Sequence, residues 1–292
     1  MKTGQIVKAL SGFYYILSDN EIYQTRGRGK FRKQQFSPLV GDIVDFDYTN
    51  QKEGRILDVH SRKNEMIRPS IANIDCAVIV MSVVEPNFSL NLLDRYIVTL
   101  EKNNIDPIIY VSKGDISPVT PEMMDMLNHY EQMGYPVVLG HEDNAFENLQ
   151  QQLKSKLSVL MGQSGAGKST LLNQLLPTLQ LETAEISSYL NRGKHTTRHV
   201  EIHDVNGCYI ADTPGFSAID LSDITLTELP TYFEDFNHLS NNCRFRGCVH
   251  LNEPGCAVKE ALNSSYPLTQ RYQNYLQFRQ EIELRPIQYG KK

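Results

Sequence analysis

Hydrophobic and polar positions alternate in short runs at the start of the chain. Segments 4–9, 14–17, 21–25, 43–48 and 54–59 mix aromatic and β-branched residues and are separated by Gly, Asn and Asp. A period of two bounded by turn residues predicts strands. Five short strands in under 70 residues predict a small barrel of the oligonucleotide-binding type. From about residue 70 to 220 the pattern changes. Apolar runs at 75–84, 107–112, 136–139, 157–161 and 208–211 alternate with helical periods at 91–102, 121–133, 145–154 and 170–176, the first with Ser89 as a plausible cap. That alternation predicts an α/β unit, a parallel sheet covered by helices on both faces. After Leu221 the chain turns polar and helix-prone, and 268–284 reads as an amphipathic helix. The expected domains are 1–68, 69–220 and 221–292.

Composition narrows the class without changing this layout. With 292 residues, 40% hydrophobic and 22% charged, the chain carries enough apolar mass for a sizeable core, which excludes a disordered tail, a collagen or a disulfide scaffold. The longest strongly apolar stretch, 76–84, is broken by Ser82 and falls far short of the roughly 20 residues of a membrane helix. No signal peptide is read at the N-terminus. The expectation is a cytoplasmic protein, monomeric and without a membrane partner.

Charge is unevenly spread. Of the net charge of -5, residues 1–70 hold 12 Lys/Arg against 8 Asp/Glu and the remainder 17 against 26. A basic head on an acidic body suggests that the barrel meets an anion such as nucleic acid. Between its strands lies a run from Arg26 to Lys33 with five basic residues in eight and one aromatic, Phe31. It reads either as a phosphate-tracking loop with a stacking side chain or as a solvated hairpin loop.

Five cysteines divide into two groups. Cys76 and Cys208 sit singly in strand-like surroundings, whereas Cys243, Cys248 and Cys256 crowd around His250. In a reducing compartment such crowding points to metal. Three thiolates and one imidazole suit one closed, tetrahedral, structural Zn²⁺ per chain, with no open position for catalysis. Arg244 and Arg246 lie within that loop and would offset its negative charge or touch phosphate.

The strongest chemical signal is Gly162-Gln-Ser-Gly-Ala-Gly-Lys-Ser169, between a strand and a helix. Its glycines let backbone N–H groups from Gln163, Ser164, Gly165, Ala166 and Gly167 turn toward phosphate oxygens. Lys168 adds charge near the β- and γ-phosphates, Ser169 offers a hydroxyl to Mg²⁺, and the helix start through Thr170 contributes its partial positive charge. The loop alone does not choose between ATP and GTP. Asp212-Thr-Pro-Gly215 ends a strand, where Asp212 can serve Mg²⁺ and the Gly215 amide a γ-phosphate. Ser112-Lys-Gly-Asp115 ends another. There Asp115 can accept the N1–H and N2–H₂ of guanine, a donor pair adenine lacks, with Lys113 along the base and Gly114 in the turn. An ATP-using enzyme is disfavoured by Asp115.

The order of these boxes is unusual, because Lys113 precedes Gly162 by 49 positions. A sheet domain can be opened at one loop and closed at another without moving its site, provided the old termini were close. In this permuted order, and in the segments 89–95, 162–169, 193–197, 212–215 and 253–256, the chain resembles the YjeQ/YloQ (RsgA) family of GTPases dependent on the small ribosomal subunit. The resemblance covers nearly the whole chain. It implies a circularly permuted P-loop GTPase core with an N-terminal OB-type barrel and a C-terminal helical zinc-binding domain. It also implies binding of GTP and GDP, of the small ribosomal subunit and its rRNA, and action late in that subunit's maturation. By this likeness Thr196 or Thr197 belongs to the switch that closes over Mg²⁺ and the γ-phosphate.

Three departures stand out. Ser112 replaces the Asn of many GTPases, Leu139-Gly-His141 stands where a Ser-Ala pair would help hold guanine, and Phe216 follows the Asp212 box where Ras-like enzymes carry a water-orienting glutamine. Phe216 cannot hydrogen-bond a nucleophile, so slow intrinsic hydrolysis is expected. His195 and His199 then read either as groups that help place the water or as exposed switch residues. Two function classes follow: an enzyme stimulated by ribosomal components, or a GTP-dependent binding module whose hydrolysis is a reset. In both, GTP would hold the flanking domains in an RNA-binding arrangement that hydrolysis releases.

Overall fold

The computed structural model of the protein describes residues 1–29, 31, 36–67, 69–176, 200–212 and 221–285. Five strands form the N-terminal barrel: β1 (Lys2–Leu10), β2 (Phe13–Ser18), β3 (Glu21–Gly27), β4 (Ile43–Asn50) and β5 (Glu53–Val59). Neighbours run antiparallel, a parallel β3–β5 pair continues the sheet, and β1 pairs with both β2 and β4 to close it. Alternation decides what faces inward, and Ile6, Ile16, Val44, Phe46 and Ile56 are completely buried. Asp19 and Asn20 join β2 to β3 with φ of 51° and 62°, the left-handed pair that matches a two-residue turn to strand twist.

A short hairpin that the alternation does not reveal, β6 (Glu65–Ile67) with β7 (Ser70–Ala72), leads out of the barrel. Just before it, Arg62 grips the fully buried Asp42 through two hydrogen bonds of 2.7 and 2.8 Å. The carboxylate in turn accepts the Leu39 amide at 2.7 Å, so the buried charge is paired and hydrogen-bonded as burial requires.

The following strands are β8 (Cys76–Ser82), β9 (Asp106–Ser112), β10 (Val137–Leu139), β11 (Leu157–Met161), β12 (Glu201–Val205) and β13 (Cys208–Asp212). They lie in the order β10-β9-β8-β11-β13-β12. All but β12 are parallel. Every residue of β8 and β11 is buried, as expected of central strands covered on both sides. Helices α1 (Leu90–Lys102) and α2 (Pro121–Gln132) place Leu93, Tyr96, Ile97, Leu127 and Tyr130 on one face. Helices α3 (Ala145–Leu153) and α4 (Lys168–Leu175) cover the other with Leu149, Leu153, Leu171 and Leu175. Strand β12 pairs with β1 at Glu201 and Lys8, whose side chains also form a 2.7 Å ion pair. Barrel and core thus share one eleven-stranded sheet.

The C-terminal part contains α5 (Glu234–Ser240), α6 (Ala257–Ala261) and α7 (Tyr266–Glu283). Phe233, Phe236, Tyr275 and Phe278 give it an aromatic core, completed by Val98 of α1. Phe233 stacks on Phe236 at 4.9 Å. The polar, helix-prone sequence after Leu221 does not reveal this aromatic cluster.

That segment is fastened to the sheet domain through 89–95. Ser89 caps α1 by accepting the Leu92 amide at 3.3 Å. Asn91 donates to Asn274 and Gln277 at 3.0 and 2.8 Å. Arg95 forms a two-pronged pair with Glu281 at 3.0 and 2.7 Å. Asp94, fully buried, accepts from Tyr130, Arg271 and Asn274 at 2.7, 2.9 and 2.7 Å. Arg271 also approaches Asp235 at 2.6 Å, an ion contact outside hydrogen-bond angles. His129 reaches the other oxygen of Asp235 at 2.8 Å.

Candidate functional site

The three boxes end strands β9, β11 and β13, with β8 between the first two, on the carboxyl edge of the sheet, where open α/β folds bind ligands. After β11 the chain turns at Gly162 with φ of 143°, and a Cβ there would lie 2.3 Å from the Val80 carbonyl of β8. Only glycine fits that approach. Gly167, with φ of 96°, is the N-cap of α4. The first amides of α4 have no partner within the helix and form an anion-binding end. The Lys168 ammonium donates to the carbonyls of Gly162 and Gln163 at 2.7 and 2.6 Å, which leaves one N–H of the three for a ligand. Burial lowers its pKa below the ordinary lysine value. Ser169 is half-buried beside it, while Ser164, Gly165 and Thr170 are exposed.

The turn 112–115, expected to read the base, meets this loop directly. Ser112 donates through Oγ to the Ala166 carbonyl at 2.6 Å, across 54 positions of sequence, with the Met81 carbonyl at 3.3 Å. The serine that departs from the common asparagine therefore makes the contact to the phosphate loop itself. Lys113, at φ of 61°, donates its ammonium to the Glu85 carbonyl. Glu85 and Pro86 in turn lie against Gly165, 3.6–3.7 Å from where its Cβ would be. Ser82, the last residue of β8, closes this corner by donating to the Pro86 carbonyl at 2.6 Å. The Gly114 backbone packs under the His141 ring, and Asp115 is exposed on the turn beyond it. Sequence reasoning missed Ser82 and 85–86; a proline shortly after the buried strand β8 was the available signal.

Asp212, at the end of β13, is half-buried. Burial raises its pKa, His203 opposes that and Glu201 adds to it. It has no ion pair among the described residues, so a cation next to it would relieve a desolvated carboxylate. Asp212 and Ser169 thus supply the oxygen chemistry that Mg²⁺ takes. Thr196, Thr197, Gly215, Phe216, His195 and His199 lie outside the described residues, as do residues 30, 32 and 33 of the basic run 26–33. Of that run, Arg26 sits over the Phe13 ring at 4.5 Å and Phe31 is buried in the barrel core. A core position does not suit the stacking role expected of Phe31, because its ring faces no solvent.

At the C-terminal end, one ligand atom each from Cys243, Cys248, His250 and Cys256 lies within 4.8 Å of the others. His250 Nδ1 stands 3.8 Å from Cys243 Sγ and 3.4 Å from Cys256 Sγ. Tetrahedral zinc with bonds of about 2.0–2.3 Å spaces its ligand atoms roughly 3.3–3.8 Å apart, so the residues fit such an ion. His250 adopts φ of 59°, and burial holds it neutral by lowering its pKa. Burial pushes the Cys248 thiol up to about 12, a cost that a bound cation reverses. The loop is braced by Glu253, which accepts the amides of Val249 and Leu251 at 2.9 and 2.7 Å. Tyr272 and Tyr275 of α7 donate to the carbonyls of His250 and Val249 at 2.7 and 2.5 Å.

Comparison with known proteins agrees with this geometry. The family described as RsgA GTPase matches residues 59–222, and the RsgA N-terminal domain matches residues 3–56. A relative in Enterococcus faecalis named small ribosomal subunit biogenesis GTPase RsgA is 50% identical, covering 99% of this chain and 98% of the relative. One of the same name from a Geobacillus strain is also 50% identical, covering 99% and 100%. Among solved structures, YloQ, described as a circularly permuted GTPase, superposes with a TM-score of 0.83 at 41% identity over 99% of this chain and 97% of its own. YjeQ from Thermotoga maritima gives 0.81 at 30% identity, over 98% and 99%.

Proposed function

The chain belongs to the RsgA GTPase family, and from that premise we propose that it binds the small ribosomal subunit and its rRNA and assists late maturation of that subunit, hydrolysing GTP to GDP faster when bound there. The observation that supports this most directly is the 2.6 Å bond from Ser112 to Ala166. It joins a guanine-reading turn to a phosphate-binding loop, so one nucleotide reaches both. In this reading Asp115 accepts guanine's N1–H and N2–H₂, and Lys113 flanks the base. The amides of 163–169 cradle the phosphates, and Lys168 neutralises charge that grows between the β- and γ-phosphates. Ser169 and Asp212 would hold Mg²⁺, which would supply further charge neutralisation. Thr196, Thr197 and Gly215 are assigned to the γ-phosphate side. The barrel and the C-terminal part are assigned to contact RNA, as domains 1–68 and 221–292 around a GTPase domain at 69–220.

Phe216 offers no hydrogen bond to water, so a partner must complete the site. Turnover of GTP by the full chain is expected to rise on the order of 10²-fold or more when small subunits are added, as when a partner supplies a missing catalytic group. ATP is expected to give no comparable rise. Equal GTP turnover with and without subunits would remove the partner-dependent step.

We assign Zn²⁺ to Cys243, Cys248, His250 and Cys256 as a structural ion. Chelation is expected to raise backbone hydrogen exchange across 243–256 by about an order of magnitude or more, because the ion would tie four side chains of one irregular loop together. Helix α7, packed through Tyr275 and Phe278, is expected to keep its protection. Unchanged exchange in the loop after chelation would show that no metal holds it. No helix among the described residues is long and apolar enough to cross a membrane, and we place the protein in the cytoplasm as a monomer.

A further inference from the structure

The strand that ties the barrel to the core also runs beside the nucleotide site. Strand β12 pairs with β13 so that Glu201 stands directly opposite Asp212. On its other side it pairs with β1, and there Glu201 stands opposite Lys8. Directly opposed residues of antiparallel strands share a face, with Cβ atoms about 4.5–5.5 Å apart. Lys8, Glu201 and Asp212 therefore form one row across β1, β12 and β13. The row lies on the face that carries α4, because side chains of a strand alternate between faces. Ile210, two residues before Asp212, and Val205, four after Glu201, pack in the same cluster as Leu171, Leu172 and Leu175.

Charges alternate along this row. The Lys8 ammonium lies 2.7 Å from a Glu201 carboxylate oxygen, and the two side chains are only 32% and 37% exposed. A pair sheltered in this way is screened less than freely solvated charges. Asp212, next in the row, is the carboxylate assigned above to Mg²⁺. While Lys8 holds Glu201, the two charges largely cancel at that position. Once Lys8 is lost, Asp212 has a second, uncompensated carboxylate beside it. A divalent cation then gains about twice what a single charge would gain there.

We infer that Glu201 is a further determinant of Mg²⁺-dependent nucleotide binding, and that Lys8 of the barrel restrains it by pairing with it. The barrel thereby sets the ion requirement of a site that lies in the core. The inference rests on the GTP-binding reading above. The measurement is the Mg²⁺ concentration at which the full chain half-saturates with a fluorescent, non-hydrolysable GTP analogue. Lys8→Met is expected to lower it about fivefold, the order expected when a partly exposed unit charge faces a divalent ion from the adjoining strand. With EDTA in place of Mg²⁺, this variant should bind the analogue no more tightly than the unmodified chain. Lys8→Arg keeps the pair and should keep the original Mg²⁺ dependence. Glu201→Gln should raise the requirement about threefold, because it leaves the Lys8 charge unopposed, and it serves as the test if Lys8→Met does not fold. In the Glu201→Gln background, Lys8→Met is expected to change the requirement by less than about twofold, since Lys8 stands one strand further away and acts through Glu201. An unchanged Mg²⁺ requirement in both single variants overturns the inference. So does tightening that persists in EDTA, which would place the effect on the phosphates instead of the ion. A change of about fivefold that survives without Glu201 overturns it as well, because Lys8 would then act directly. Failure of the GTP-binding reading would look different: the unmodified chain and Lys168→Ala would bind the analogue equally poorly.

Discussion

Lys168→Ala is expected to lower kcat/KM for GTP by about two to three orders of magnitude, the effect of removing one preorganised charge or donor aimed at developing negative charge. The ammonium is held by the carbonyls of Gly162 and Gln163 within its own loop, so it sits at the phosphate end before any ligand arrives and needs little reorganisation. Burial lowers its pKa, and an incoming polyphosphate restores the charged form by supplying the opposite charge. The fold is expected to tolerate the change. The two carbonyls belong to a loop beside exposed Ser164 and Gly165, and the helix behind it is anchored by Leu171, Leu172 and Leu175. Steady-state turnover with small subunits present, paired with a thermal melt, measures both quantities. A loss of less than about threefold with an unchanged melt would take Lys168 out of the hydrolytic site, since even one modest hydrogen bond is worth more than that.

Asp94→Ala is expected to cost about 3–5 kcal/mol of stability, the usual consequence of removing one partner from a buried ion pair. Asp94 and Arg271 are both completely buried. The guanidinium is sandwiched against Tyr130 and Phe233, with ring centroids at 4.7 and 5.5 Å. Deleting the carboxylate leaves it facing Asp235 alone and strips acceptors from Tyr130 and Asn274. The same residues join α1 and α2 to α7, so the loss should appear first as detachment of the C-terminal part, with rising hydrogen exchange in α7. Arg95→Ala is the internal control. Its pair with Glu281 is partly exposed, and such pairs are worth roughly 0–1 kcal/mol. Equal losses in the two variants would mean that the buried network does not fasten this junction.

These two residues also mark how far the sequence could be read. Lys168 was legible because phosphate binding requires several residue types at fixed spacing within one short turn, and the strand and helix around it show their own periods. The cluster able to hold a metal was legible for the same reason, since all four side chains fall within 243–256. Asp94 was visible only as part of a segment shared with the family. Its partners lie 36, 177 and 180 positions away, and no local pattern ties an aspartate on one helix to an arginine on a distant one. Ser112 shows the same limit. In the sequence it is only a departure from asparagine, whereas the sheet order β9-β8-β11 brings its hydroxyl onto the loop at Ala166. Phe31 looked like a stacking side chain in a basic run and is instead buried among barrel strands. Burial depends on what closes over a residue.

By itself the sequence determined most of the order of strands and helices, the glycine-rich turn before α4 and the Cys₃His set, because each is a short-range pattern of residue type and period. The tertiary structure alone decided that Ser112 reaches the loop at Ala166, 54 positions away, and that a buried arginine clamps the C-terminal part to α1. Those outcomes depend on close packing and on pairing buried polar groups, and both are settled only when distant segments compete for the same space.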